Sequence, residues 1–147
     1  MSTKFLYYKS SILFRALKNL GDKSNRNYII LDKSFSIIYC DENYTSLTDY
    51  TFQDIAYSPF KKLLHHIKFN TKFDEIEDRL RKGKITTAEL VHTRKDSIAF
   101  YADLEFLPFP NENNETELIL VFIKDFTDFP NGKALAFRLG MKVRSDN

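Results

Sequence analysis

Tyr28-Ile29-Ile30-Leu31-Asp32-Lys33-Ser34-Phe35-Ser36-Ile37-Ile38-Tyr39-Cys40-Asp41-Glu42-Asn43-Tyr44-Thr45-Ser46-Leu47-Thr48-Asp49-Tyr50 decides the fold. Two runs in it are β-branched and aromatic, Tyr28 to Leu31 and Ser36 to Cys40, and both read as strands. Between them, Asp32-Lys33-Ser34 is turn chemistry, because a short Asp or Ser side chain hydrogen-bonds its own backbone. Asp41 stands where a helix N-cap belongs, with Tyr44 and Leu47 at helical spacing behind it. The stretch therefore reads as a strand, a turn, a second strand and a helix.

Working outward toward the N-terminus, residues 9–20 predict an amphipathic helix. Leu13, Leu17 and Leu20 form its stripe, Ile12 and Ala16 its flank, and Gly21 its stop. Ahead of it, Phe5-Leu6-Tyr7-Tyr8 is a short apolar run. The helix is expected to pack on its own domain, with a detachable docking segment as the alternative.

Toward the C-terminus, Thr51 caps a short helix reaching Ile55, with Asp54 as a near capping box. Pro59 ends it and starts a helical turn over residues 60–66. A longer helix over residues 73–82 carries Phe73, Ile76 and Leu80 on one stripe, acids first and bases last, and Gly83 stops it. Strands follow over residues 85–93 and from Ile98, where Ile98, Phe100, Ala102, Leu104 and Phe106 alternate with Ala99, Tyr101, Asp103 and Glu105 until Pro108 and Pro110 end the run. The last strand, residues 117–126, is apolar on both faces: Leu118, Leu120 and Phe122 on one, Ile119, Val121 and Ile123 on the other. A strand with one buried face should alternate, so its second face is expected to be covered by the N-terminal helix, a second copy or a partner protein. The tail is basic (Lys133, Arg138, Lys142, Arg144) and reads as a short helix.

The order predicts an α+β fold: a five-stranded antiparallel sheet with helices on one face, plus an N-terminal amphipathic helix. At 147 residues, with 14 Phe and 8 Tyr, the chain holds a folded core rather than a disordered one. A net charge of +2 gives no electrostatic footprint for nucleic acid. The single Cys excludes an internal disulfide and fits a reducing compartment. No run approaches the roughly 20 apolar residues of a membrane span, and no signal peptide is evident.

This arrangement resembles the PAS domain. The family's Asn-x-Ala-x-x-x-Leu-x-Gly-Tyr is matched in layout by Asn43-Tyr44-Thr45-Ser46-Leu47-Thr48-Asp49-Tyr50, with Asp49 in place of Gly. Its Lys/Arg-Asp-Gly hairpin appears as Arg94-Lys95-Asp96-Ser97, and its closing Asp-Ile-Thr as Asp125-Phe126-Thr127. Within the class, the chain is most similar to the N-terminal eag domain of ether-à-go-go type voltage-gated potassium channels. The likeness rests on Tyr28 to Leu31 behind an amphipathic helix, on Ile38-Tyr39-Cys40, on residues 123–130, and faintly on Gly132-Lys133 with residues 136–139. The division implied is a cap at 1–26, a PAS domain at 27–129 and a basic tail at 130–147. The resemblance implies a cytoplasmic, non-enzymatic regulatory module at the inner face of the plasma membrane. It would act by docking on a cyclic-nucleotide-binding homology domain and slow channel closing. No membrane segment or cyclic-nucleotide-binding homology domain is present, so the chain is expected to be a fragment, a truncated isoform or a free-standing relative.

Other chemistries are weighed against this. Light-oxygen-voltage flavin chemistry needs a reactive Cys in the third helical turn, which here reads Tyr57-Ser58-Pro59-Phe60-Lys61-Lys62. Cys40 reads as a buried inert thiol at a strand end. His65 and His66 invite haem, but neighbours on a helix cannot both face a pocket. His65, His66, His92 and Cys40 show no metal-ligand spacing. Glu75, Glu77 and Asp78 read as a solvated helix face rather than catalytic acids. No enzyme, cofactor or metal is expected. A family pocket would be lined by Tyr44, Leu47, Ile55, Leu64, Phe73, Ile76, Leu80, Phe100 and Leu104, and such apolar residues are expected to fill it themselves. The expected contact surfaces are Phe5, Leu6, Tyr7 and Tyr8, and an outer sheet face made of Tyr101, Ile119, Val121 and Ile123, serving a protein partner or self-association. The alternatives are a sensor binding haem, flavin or a metabolite, and a dimerisation module of a kinase, phosphodiesterase or transcription factor.

Overall fold

A computed structural model describes residues 11–64, 73–128 and 143–145. In chain order the elements are α1 (Ile12–Ser24), β1 (Asn27–Asp32), β2 (Ile37–Cys40), α2 (Glu42–Thr48), α3 (Phe52–Ile55), a 3-10 turn (Phe60–Leu63), α4 (Phe73–Arg81), β3 (Thr86–Thr93), β4 (Ala99–Pro110), β5 (Thr116–Asp128) and β6 (Val143–Ser145). The strands form one antiparallel sheet in the order β2-β1-β5-β4-β3-β6.

The five expected strands are present, and a sixth pairs with β3 through Thr86 and Ser145, Thr87 and Arg144, and Ala88 and Val143. A short helix was the expectation for the tail. Its last described residues are this strand, and residues 129–142 lie outside the described part. The turn after Pro59 is a short 3-10 element rather than a helix to His66. β4 does not stop at Pro108. It runs to Pro110, pairing Pro108 with Ile119 on β5. Pairing with β3 ends at Thr86 and Phe106, so Pro108 lies where β4 has lost that neighbour and its missing N–H interrupts no ladder there.

The opening hairpin closes as its turn chemistry requires. Asp32 Oδ1 accepts from the amides of Ser34 and Ser36 at 2.9 and 3.0 Å. Phe35 takes a left-handed φ of 63°. Asp41 caps α2, and its Oδ1 accepts from the Tyr44 amide at 2.9 Å and from the Tyr28 amide at 3.0 Å. One carboxylate therefore starts the helix and ties it to β1.

Helices α2, α3 and α4 and the 3-10 turn pack on one face of the sheet, where Ile29, Leu31, Phe100, Leu104, Phe106 and Val121 share a core with Tyr44, Phe60, Phe73, Ile76 and Leu80. The second face is covered, over β1, β2 and β5, by α1. Phe14 and Leu17 there meet Tyr28, Ile30, Ile38, Leu118, Leu120 and Phe122. The N-terminal helix, one of the three covers expected for the last strand, lies on it. Its contact stripe differs from the predicted one, being Phe14, Leu17 and Gly21, while Ile12 and Leu20 are exposed. The helix passes Gly21 and ends at Asn25, whose φ of 56° makes it the left-handed cap.

Candidate functional site

Among the described residues, polar chemistry meets burial across separate elements at the seat of α1 on the outer face and at a polar pair inside the helix-side core, besides the Asp32 turn and the Asp41 cap.

The seat is built on Tyr28. β1 places this ring on the outer face, fully buried. Gly21 lets the helix descend onto it. A Cβ there would lie 2.5 Å from ring atoms Cε2 and Cζ of Tyr28, so no larger residue fits without displacement. The Tyr28 hydroxyl donates to Asp22 Oδ1 at 2.5 Å and lies 3.2 Å from the Lys18 carbonyl. Lys18 Nζ bridges to Asp22 Oδ2 at 3.0 Å and stands 5.4 Å from the centroid of the Tyr39 ring. Burial and the Asp22 carboxylate push the Tyr28 hydroxyl far above the ordinary tyrosine range. Burial alone would raise Asp22, but the Tyr28 hydroxyl and Lys18 hold it below its usual value. The hydrogen bond to Asp22 raises Lys18 in turn. Phe14 closes edge-on against Tyr39 at 5.9 Å. The seat is a hydrogen-bonded latch between helix and sheet.

The interior pair is Tyr44 and His92. Both are fully buried, and their Oη and Nε2 lie 2.6 Å apart. His92 Nδ1 lies 2.8 Å from the Thr93 carbonyl, which can only accept, so Nδ1 carries the proton and Nε2 accepts from Tyr44. The imidazole stacks on Phe100 at 5.0 Å and meets Phe60 edge-on at 6.0 Å. Burial, reinforced by the charge of Arg94, lowers its pKa to about 4, and burial raises the Tyr44 hydroxyl well above its ordinary value. Arg94 donates from Nε to the Leu47 carbonyl at 2.9 Å and lies 4.6 Å from the Phe100 centroid, so it clamps the β3–β4 hairpin to α2. With the Thr93 carbonyl taking the Nδ1 proton, the pair is a neutral polar rivet between α2 and β3.

Eight of the nine residues expected to line an interior pocket, Tyr44, Ile55, Leu64, Phe73, Ile76, Leu80, Phe100 and Leu104, lie buried in the helix-side core, and Leu47 packs against it half-buried. They come together and touch one another. The expected outer contact face is corrected. Ile119, Val121 and Ile123 point inward, because they pair with Pro108, Phe106 and Leu104 of β4, and Ile119 and Val121 pair also with Leu31 and Ile29 of β1. Directly opposed residues of antiparallel strands share a face. Tyr101 faces out, half-buried, opposite Val91. Phe5, Leu6, Tyr7 and Tyr8, and also His65 and His66, lie outside the described residues. His92 was visible in the sequence only as a histidine without ligand spacing. Its position in alternation with Ala88 and Leu90 could have marked it as a core residue in need of a partner.

Cys40 is buried at the end of β2, with its thiol 3.9 Å from Thr45 Oγ1, and burial pushes its pKa up to about 11. Among the described residues, no three His, Cys, Asp or Glu side chains gather as metal ligands, and no helix is long and apolar enough to cross a membrane.

The family profile described as "PAS domain" matches residues 25–128. Among curated proteins, the chain is 25% identical over 113 residues to the voltage-gated delayed rectifier potassium channel KCNH8 of Homo sapiens and of Mus musculus. The match covers 73% of this chain and 10% of the channel, so the chain spans about a tenth of the length of these relatives. Among solved structures, the PAS domain from the fruit-fly ELK potassium channel superposes with a TM-score of 0.64 at 18% identity, covering 82% of this chain and 98% of that one. The Rhodobacter sphaeroides LOV protein superposes at 0.65 with 15% identity, covering 91% and 72%. These likenesses show the fold.

Proposed function

The chain belongs to the PAS domain family, and from that premise we propose that it is a regulatory PAS module of the eag channel kind. It works by protein contact, without chemistry of its own, in the cytoplasm at the inner face of the plasma membrane. On this reading residues 1–26 are its cap, 27–129 the PAS domain and 130–147 a basic tail. The observation that carries the reading is the latch. A helix preceding the PAS domain is held on the outer sheet face by the Tyr28–Asp22 hydrogen bond and the close approach at Gly21. That arrangement presents cap and sheet as one surface. The packed interior supports contact over ligand binding, since the polar atoms of Tyr44 and His92 are engaged by each other and by the Thr93 carbonyl. The partner is the cyclic-nucleotide-binding homology domain of such a channel, met through Phe5, Leu6, Tyr7 and Tyr8 and the region of Tyr101.

The test adds the purified chain to an eag-type channel stripped of its own N-terminal domain. Slower closing, with saturable binding to the isolated cyclic-nucleotide-binding homology domain, is expected. Unchanged closing together with no binding would refute it.

A sensor role is the second reading, favoured by the similarity to light-oxygen-voltage structures. Its photochemistry would need a thiol that residues 57–62 do not supply and that buried Cys40 does not replace. An absorbance spectrum separates the two. A band beyond that of tyrosine would favour the sensor.

A further inference from the structure

The order β2-β1-β5-β4-β3-β6 puts a strand from the far end of the chain beside β3. β6 is three residues long, with Val143 opposite Ala88, Arg144 opposite Thr87 and Ser145 opposite Thr86. An edge strand offers its backbone N–H and C=O groups to any other strand, so sheets blunt their edges with short strands, bulges, prolines or lysines, or cover them. The opposite edge uses two of these devices. β2 has four residues, and its pairing with β1 shifts register between Ile30 and Leu31. β3 uses neither. It runs eight residues with no register shift against β4, and Thr86 to Thr93 contains no proline, lysine or arginine. Cover is the device that remains, and β6 supplies it over Thr86 to Ala88. Farther along, Leu64 bridges to His92.

We propose that β6 is a removable guard on this edge, and that β3, once uncovered, pairs antiparallel with β3 of a second copy. Two identical strands meeting this way are related by a two-fold axis, the commonest closed symmetry. Side chains keep their faces only when opposed residues share parity. Centring the pair on Ala88 meets that condition. It sets Thr87 opposite Glu89 and Thr86 opposite Leu90, so no carboxylate stands opposite its own copy. The ladder from Thr86 to Leu90 is then longer than the one it replaces, which runs from Thr86 to Ala88. This association does not rest on the contact function proposed above.

Val143→Pro with Arg144→Pro in the full chain removes two consecutive amides. Successive amides of a strand point to opposite sides, so one of the two faces β3 whatever the hydrogen-bond phase. Far-ultraviolet circular dichroism should match the parent, because β6 is three residues long. In sedimentation equilibrium the parent is expected at the mass of one chain, 17.3 kDa, and the variant is expected to rise towards twice that. An excess of a peptide of residues 140–147 fills the same edge and should return the variant to the mass of one chain.

A variant that stays at the mass of one chain would overturn the proposal. So would a parent that associates as readily as the variant, or association that the peptide does not reverse, which would place the contact elsewhere on the surface. Amide exchange in the unaltered protein tests the guard even if the variant does not fold. The amides of Thr86 to Ala88 that face β6 should exchange faster than those of β3 that face β4. Equal exchange would show that β6 does not open, and would also overturn the proposal. None of these outcomes involves a channel, so self-association can fail while the proposed regulation stands, and the reverse.

Discussion

Acidification is the perturbation that bears most directly on the interior. A histidine kept neutral by burial binds its proton more weakly in the folded chain than in the unfolded one. As pH falls below about 6.5, the ordinary value, the unfolded chain takes up the proton first and stability drops. The loss continues until the folded ring titrates, near 4, and then levels off. One pKa unit corresponds to about 1.4 kcal/mol, so His92 alone removes roughly 3 kcal/mol across that window. For a domain whose total stability is about 5–15 kcal/mol, this is a visible share. The assay is urea unfolding at steps between about pH 7 and pH 4. The control is the double variant Tyr44→Phe/His92→Phe, which removes both ends of the hydrogen bond together. His92→Phe alone leaves the Tyr44 hydroxyl buried and unpaired, at a cost of about 1–3 kcal/mol, and the second substitution should recover part of that. Carboxylates contribute to both curves, so the difference between the parent and the double variant isolates the histidine. That difference should slope by about 1.4 kcal/mol per pH unit in the window. Parallel curves would refute the buried neutral rivet.

Gly21→Ala should loosen α1 without unfolding the sheet. The new methyl meets the Tyr28 ring at 2.5 Å, and overpacking of about 1–3 kcal/mol outweighs the helix-propensity gain of about 1 kcal/mol. Faster amide exchange confined to α1 is the expected signature, and unchanged exchange would count against the latch. Asp49→Gly and Ser97→Gly should each raise stability by about 0.5–1 kcal/mol in thermal unfolding, because both residues hold a left-handed φ, of 66° and 71°. A fall in the melting temperature would show that their side chains matter more than backbone strain. Cys40 should resist alkylation in the native state and react in urea, since burial holds its thiol near 11. Rapid native labelling would contradict its burial.

Strand and helix types between Tyr28 and Leu104 were legible because their patterns are local. Asp41 as a cap, Phe73, Ile76 and Leu80 as a stripe, and Gly83 as a stop with φ of 75° need nothing beyond neighbouring residues. Asp49 and Ser97 also turn out to be conformational equivalents of the glycines they replace, which explains how the family's layout survives the departures. The α1 stripe was less legible. Counting apolar side chains selected Leu13, Leu17 and Leu20, whereas the contact depends on a residue without a side chain, Gly21, over a tyrosine that lies nearby only after folding. The Tyr44–His92 pair joins residues 48 apart in sequence, and no local pattern announces it.

The face of β5 was illegible for a different reason. Both of its alternating sets are apolar, so periodicity establishes a strand buried on two sides and leaves its parity open. Register decides parity, and the register of β5 against β4 shifts between Asp103 and Leu104, where a bulge breaks the period of two. On the Leu104 side of that shift the odd residues Ile119, Val121 and Ile123 share the helix-side core, while Leu118, Leu120 and Phe122 receive α1. A charge placed at Val121 would therefore report on folding, because it would be buried without a partner among Ile29 and Phe106. The outer face divides instead into a half already occupied by α1 and a half that carries Tyr101 beside half-buried Asp103 and Glu105. Val91 and Thr87, opposite Tyr101 and Glu105 on that second half, are themselves buried, so the aliphatic outer surface that the sequence of β5 suggested is not what this half presents.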